Sequence, residues 1–450
     1  MIQFAIALIN IILLLNGVAA IINYLLPTIS KPLQLFATII LSVTVLSFIY
    51  FVGLILKQEF NILLILFTVI NLLHLYWTYP WLLKRFNLKN LTVHDTYDIV
   101  PIAAVLLMTV FFVFHGSKYG DFDAWALWNT HAKFLYHPTT WTRMFEDPTI
   151  MSHADYPLML PSLVAFFWKM VNNTSFIVPI LLSFSIIATI PLLLYYALKA
   201  EFKNRFYAYF GLLMLVADYH FQLLNSAQCA DTLLSLFILS AFIIHHYLKQ
   251  SNFTNAAYVL GFICASCTWI KNEGELFFVV FTVIFFISNY KNTPYIKKYL
   301  AGSILPIIVI ISFKEFFSPV NDLIATNNNR IPKLIHDIKD GSRYITIVKM
   351  YATTLIDNFW MAVILFLYMM LVNRGFFKSF APVIFYLMFL GFTIIYLTTP
   401  YDLSWHIYTS FYRLLYQVYP SLIYTAIISV GYIHLETSAC LTLETATITE

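Results

Sequence analysis

Runs of about twenty apolar residues recur along this chain, and their length dictates most of what it can become. A helix that long, rising ~1.5 Å per residue, crosses the ~30 Å hydrocarbon core of a bilayer. Such runs fall near 2–26, 36–56, 61–82, 98–115, 176–198, 206–222, 232–248, 256–270, 276–290, 300–317, 354–372, 380–398 and 418–434. They predict an all-α, polytopic integral membrane protein with about thirteen spans. The composition agrees, because 60% of the 450 residues are hydrophobic and only 11% charged, more apolar surface than a soluble fold can hide. The first run is too long for a cleaved leader, and its small residues are followed by Asn23, Tyr24 and Pro27 rather than a cleavage motif. Composition is uniform, so no soluble domain or linker is expected. Residues 1–97 supply N-terminal spans without an assigned role, 98–435 the main transmembrane body, and the threonine-rich 436–450 a frayed tail.

Charge sets the orientation. The net charge of +4, with no basic run carrying interleaved aromatics, argues against nucleic acid as a partner. Basic residues instead cluster in short connections: Lys84, Arg85 and Lys89; Lys199, Lys203 and Arg205; Lys291, Lys297 and Lys298; Arg374 and Lys378. The positive-inside rule assigns all of them to the cytoplasm. Alternation permits this only if Tyr156–Met170, which carries Pro157 and Pro161, lies along or re-enters the outer interface instead of crossing. The connections 116–175, 218–231, 271–275, 318–350 and 399–417 then face outward, with 318–350 as a mobile cover. Low glycine with abundant Ile, Phe, Lys and Asn suits a bacterial inner membrane, the site facing the periplasm or exterior.

The outward connections collect the scarce polar residues. Asp121 and Asp123 follow directly on an apolar run, and from Ala124 the spacing turns helical, with Trp125, Trp128, Ala132 and Leu135 on one face and Asn129 and Lys133 elsewhere. Tryptophans on such a face fit the membrane–water boundary, where two carboxylates can handle a proton or a metal. The same loop adds Arg143, Glu146, Asp147, His153 and Asp155; the next holds Asp218, His220, Gln228 and Asp231. Lys271 and Glu273 form a pair between two apolar runs, where either charge buried alone would cost several kcal/mol. If the chain is helical from about Leu403, His406, Ser410, Arg413 and Gln417 share a polar stripe, and arginine there can grip phosphate with two parallel donors.

Other features carry less. Cys264 and Cys267 have redox-type spacing but sit in an apolar run and are expected to pack as small apolar residues. His245 and His246 stand at a helix end, where solvation or dipole compensation is expected. No glycine-rich phosphate loop, nucleophile elbow or His-Glu-x-x-His pattern occurs.

These outward motifs resemble the polytopic GT-C glycosyltransferases, which use polyprenyl-phosphate-linked sugars, and are similar to bacterial relatives of the protein mannosyltransferases and the lipid A aminoarabinose transferase. The likeness rests on Asp121 and Asp123, on 153–161, on 227–231, on 269–274 and on 405–413. It implies a GT-C-like fold with juxtamembrane helices in the first outer loop, and an inverting transfer from a polyprenyl-phosphate sugar to a lipid, glycan or protein acceptor. Asp123 is the first choice as base and Asp121 the second. Arg413, then Lys271, with His406, would hold the donor phosphate and lipid. His153, Asp155, Lys133, Glu273 and Gln228 would contact substrate. A divalent metal (Mg or Mn) would sit on Asp121, Asp123 and Asp231, with Asp231 alternatively capping its helix or orienting the acceptor. The chain departs from the pattern in having three additional spans before the acidic loop and Asp-Phe-Asp where adjacent Asp-Glu is common. The competing expectations are a secondary transporter or flippase, with midplane charges and inverted repeats, and a non-catalytic membrane subunit.

Overall fold

The computed structural model describes residues 2–85, 98–146, 153–251, 253–320 and 330–448; Lys89 and Asp147 lie outside them. The structure is 84% helical, without strands among the described residues, and the chain is an all-α membrane protein. It opens with α1 (Ile2–Leu25), α2 (Lys31–Ile55), α3 (Phe60–Arg85) and α4 (Ile99–His115). The first long connection contains a π-helical turn, Ala124–Trp128, then α5 (Asn129–Leu135), a 3₁₀ turn at Trp141–Phe145 and α6 (Met159–Val171). There follow α7 (Ile177–Glu201), α8 (Phe206–Val216), α9 (Tyr219–Ser226), α10 (Ala230–Ser251), α11 (Ala256–Ser266), α12 (Asn272–Asn289) and α13 (Thr293–Phe316). The chain ends with α14 (Arg330–Lys339), α15 (Gly341–Asn358), α16 (Trp360–Val372), α17 (Phe380–Thr398) and α18 (Leu403–Ile448).

Among the described residues eight helices are long and apolar enough to span a bilayer, or nine with α15 and α16, which meet at a 100° bend, counted as one. The other expected spans correspond to shorter apolar helices, α3 up to Tyr76, α4, α8 and the α11 region. The run expected to cross at 206–222 is broken because Asp218 caps a new helix, accepting a hydrogen bond from the Phe221 amide at 2.8 Å. Nor is the run at 354–372 straight: Phe359 stands between the two bent helices. The tail expected to fray is helical in its backbone as far as Ile448.

Residues 230–245 of helix α10 are all buried, which puts the helix in the middle of the bundle. It is the most enclosed of the spans, 89% of its apolar window being buried, and packs against α18, α11 and α7. Helices α11 and α13 cross closely through Gly261 and Gly302. A Cβ on Gly261 would lie 2.0 Å from the Tyr299 carbonyl oxygen, and one on Gly302 2.0 Å from that of Tyr258. Small residues that bring backbones together are how helices associate in lipid, where no hydrophobic drive distinguishes neighbour from solvent.

One expectation needs physical correction here. Helix α6, expected to lie along or re-enter the outer interface, is covered by protein, ten of its residues being buried between its neighbours α1, α2, α5 and α7. His245 is not solvated but buried, stacked 3.8 Å from the Phe380 ring, while His246 lies 3.1 Å from Glu201. Cys264 and Cys267 are free and fully buried.

The N-terminal helices also acquire a role. The Tyr50 hydroxyl of α2 donates to the Leu135 carbonyl at 2.9 Å, and the Trp141 indole donates to the Leu54 carbonyl at 3.2 Å. Trp269, entirely buried, donates to the Ser47 hydroxyl at 2.8 Å, and its ring lies 4.8 Å from Phe51. Helix α2 therefore braces both the first loop and the turn that carries Lys271.

Candidate functional site

The first loop turns back on itself at Gly120, whose φ of +76° is a conformation glycine adopts without strain. The turn also needs the missing side chain, because a Cβ there would come within 2.7 Å of the Ala227 carbonyl. That carbonyl accepts the Asp121 amide at 3.1 Å, and the Gln228 side chain donates to the Ser117 carbonyl at 2.8 Å. The loop before α10 and the start of the first loop are thus tied together, and this brings Asp123 to the beginning of α10.

There Asp231, in the first turn of α10 and fully buried, has both carboxylate oxygens occupied. Lys271 donates to Oδ1 at 2.8 Å and Gln417 to the same oxygen at 2.7 Å, while Arg413 donates to Oδ2 at 2.7 Å. Arg413 reaches onward to Asp123 Oδ2 at 2.5 Å, and Lys271 to Glu273 Oε1 at 2.9 Å. The result is one chain of alternating charge, Asp123–Arg413–Asp231–Lys271–Glu273, that draws together four separate parts of the sequence. Burial alone would push the Lys271 ammonium down, but the carboxylates of Asp231 and Glu273 outweigh it and hold the group above its ordinary value, firmly charged.

The ends of this chain differ in access. Asp231 is sealed, whereas the Asp123 side chain keeps 34% of its surface open. Phe122 and Trp125 beside it are exposed, as are Trp405 and Tyr408 at the start of α18. Trp125 was expected to share a face with Trp128, Ala132 and Leu135. Only the last three are buried, because the π-helical turn is wider than an α-helical one and swings Trp125 out.

A second group adjoins the first through Asn272, the residue after Lys271. Its amide donates to Asp155 Oδ2 at 2.7 Å, and its oxygen accepts from Lys314 at 2.9 Å. Lys314 also donates to the Asp155 carbonyl at 3.0 Å and lies 3.3 Å from Glu275. Tyr156 is stacked between Trp128, at 5.7 Å, and His153, at 5.0 Å, with the Lys271 ammonium 6.0 Å from its ring centre. His153 holds its place through a left-handed backbone, φ 50°.

Of the residues expected to act, then, Asp123, Arg413, Lys271, Asp231 and Glu273 meet directly, and Asp155 and His153 adjoin them. Three do not join. The Asp121 carboxylate is exposed and accepts the Phe122 amide at 2.7 Å, so it shapes the turn. Lys133 is exposed on α5. His406 pairs with the Thr399 hydroxyl at 2.8 Å, two turns of α18 before Arg413. Gln228 serves as a strut between loops. Asn272, Glu275 and Lys314 were missed; a lysine directly after the apolar run of α13 was the available signal for Lys314.

Both oxygens of Asp231, expected to hold a metal with Asp121 and Asp123, face cations or amide donors. What the fold and the site define is a helical membrane protein with a buried ionic network at one end of its spans. Comparison with protein families, with curated proteins and with solved structures finds no match.

Proposed function

We propose that this chain is a membrane glycosyltransferase of GT-C type, moving a sugar from a polyprenyl-phosphate donor to an envelope lipid, glycan or protein acceptor at the outer face of a bacterial inner membrane. The observation that carries this reading is a solvent-accessible carboxylate, Asp123, placed 2.5 Å from an arginine that is itself anchored on a buried aspartate, beside exposed Phe122 and Trp125. A lipid-linked donor needs that combination: apolar surface for the chain, fixed positive charge for the phosphate, and a base for the acceptor.

In the proposed step the acceptor hydroxyl oxygen attacks the anomeric carbon and forms the new C–O bond as the bond to the phosphate oxygen breaks. Asp123 takes the hydroxyl proton. The leaving polyprenyl phosphate takes the electron pair, and Arg413 holds it, with Lys271 second. Arg413 is divided between Asp123 and Asp231, so an arriving phosphate competes with Asp123 for the guanidinium and releases the carboxylate as a base when the donor is present. Asp231 is the positioning residue that aims both cations. Asp155, Glu273 and Glu275 offer acceptors for sugar hydroxyls. Direct displacement of this kind inverts the anomeric centre.

A transporter would carry its charges at the bilayer midplane on broken helices. In the network Asp231 stands in the first turn of α10 and Lys271 just before α12, while Arg413 and Gln417 reach it from inside the unbroken helix α18, and it includes no residue of the α15–α16 bend. The deciding experiment incubates purified full-length chain with polyprenyl-phosphate sugars and envelope extract, and follows label into product. Wild type is expected to transfer and Asp123→Asn to lose 10²- to 10⁴-fold, about the contribution of a positioned general base. Full transfer by Asp123→Asn would remove the assignment; solute movement without a new glycosidic bond would favour transport.

A further inference from the structure

Helix α10 runs from Asp231 to Lys249, eighteen residues or about 27 Å along its axis, close to the thickness of a bilayer's hydrocarbon core. Its far end therefore lies at the opposite membrane surface from the carboxylate network. So does the end of α12 and the start of α13, and between these three helix ends lies a cavity of about 300 Å³. That is the space of about ten water molecules.

The lining is cationic and polar. Lys249 and Lys291 face it together with Ser288, Asn292 and Tyr295, and no carboxylate contributes. Among the described residues neither lysine forms an ion pair, in contrast to Lys271 and Lys314 across the membrane. Lys249 is aimed by Asn289, a buried residue whose side-chain oxygen accepts the ammonium at 2.7 Å while its amide donates to the Phe285 carbonyl at 2.8 Å. A buried side chain spent on orienting a surface lysine toward a cavity is a built feature. Helix α13 starts at the cavity wall with no side chain capping its first turn, which adds the positive end of a 24-residue helix.

We propose that this cavity binds a phosphate-bearing anion, which in the membrane is the headgroup of an anionic phospholipid. The phosphate would lie between the Lys249 and Lys291 ammonium groups, with Ser288 and Asn292 completing its hydrogen bonds and the acyl chains following the apolar flanks of α12 and α13. The site is separate from the network at the other surface, and the proposal does not depend on what that network does.

The test uses the full chain in detergent, titrated with phosphatidylglycerol, phosphatidylcholine and inorganic phosphate and read by native mass spectrometry or by lipid-dependent shifts in melting temperature. Phosphatidylglycerol is expected to bind with preference over phosphatidylcholine. Lys249→Ala and Lys291→Ala should each weaken it about fivefold, as expected for one basic residue at an anionic surface. Lys249→Arg should retain binding, which separates lost charge from lost fold. Saturation by inorganic phosphate with no preference among lipids would keep the anion site but reject the lipid source. Equal binding of both lipids without phosphate binding, or unchanged affinity in the double alanine variant, would overturn the proposal.

Discussion

Replacing Asp231 by asparagine tests whether the ionic chain is built around that residue. The substitution keeps the shape and removes one charge. Because Oδ1 accepts from Lys271 and Gln417 and Oδ2 from Arg413, an amide nitrogen at either position is set against a donor. Removing one partner of a buried ion pair costs about 3–5 kcal/mol. Here the cations keep second partners, Lys271 holding Glu273 and Arg413 holding the partly open Asp123, so a loss nearer 2–4 kcal/mol is expected. Unfolding in detergent, followed by tryptophan fluorescence and monodispersity, measures it. A cycle with Lys271→Met then isolates the pair, with a coupling of about 1–3 kcal/mol expected for residues in direct contact. Asp231→Asn within about 0.5 kcal/mol of wild type, the level of an ordinary surface substitution, together with an additive cycle, would refute the reasoning.

Other outcomes follow from other parts of the fold. Gly302→Val drives a side chain into the Tyr258 carbonyl, and about 1–3 kcal/mol of destabilisation is expected, measured by the same melting assay. Tyr50→Phe removes the hydroxyl that holds Leu135 and should cost about 1 kcal/mol and loosen the first loop, read as faster hydrogen exchange over 129–135. Asp98 caps α4; burial pushes its carboxyl up, but hydrogen bonds from Tyr195, the Val100 amide and Tyr209 and the charge of Arg205 outweigh that and hold it below its ordinary value. A depressed folded-state acid stabilises above its unfolded pKa near 3.9 and loses that contribution as pH falls through the folded value. Melting temperature should therefore drop below about pH 4 in wild type, and less steeply in Asp98→Asn.

Much of this was legible because it depended on local pattern. Apolar runs of span length located the helices, and the i, i+4, i+7, i+11 spacing from His406 to Gln417 put Arg413 and Gln417 on one inward face. That a charge as isolated as Asp231 needs a partner also follows from solvation alone. What the sequence does not carry is which partner: Arg413 lies 182 residues away, and only the packing of α18 on α10 makes them neighbours. The same holds for Asn272 and Lys314, whose meeting with Asp155, and for Glu275, whose meeting with Lys314, depends on where α12 and α13 stand. Local chemistry misled in one place: a π-helical turn broke the face that put Trp125 with Trp128. The cover of protein over the apolar 159–171 segment is a further feature that hydrophobicity does not reveal.

The reaction proposed for Asp123 and Arg413 requires the scarce ionic side chains to act together at one membrane surface. Cysteines introduced one at a time at Phe122, Trp405 and Lys291, in a background lacking the native cysteines, can be labelled in oriented vesicles with a membrane-impermeant maleimide. The expected result is that positions 122 and 405 react from the same side and position 291 only from the other. Labelling of 122 and 405 from opposite sides would contradict the shared site, and with it the reaction assigned to Asp123 and Arg413.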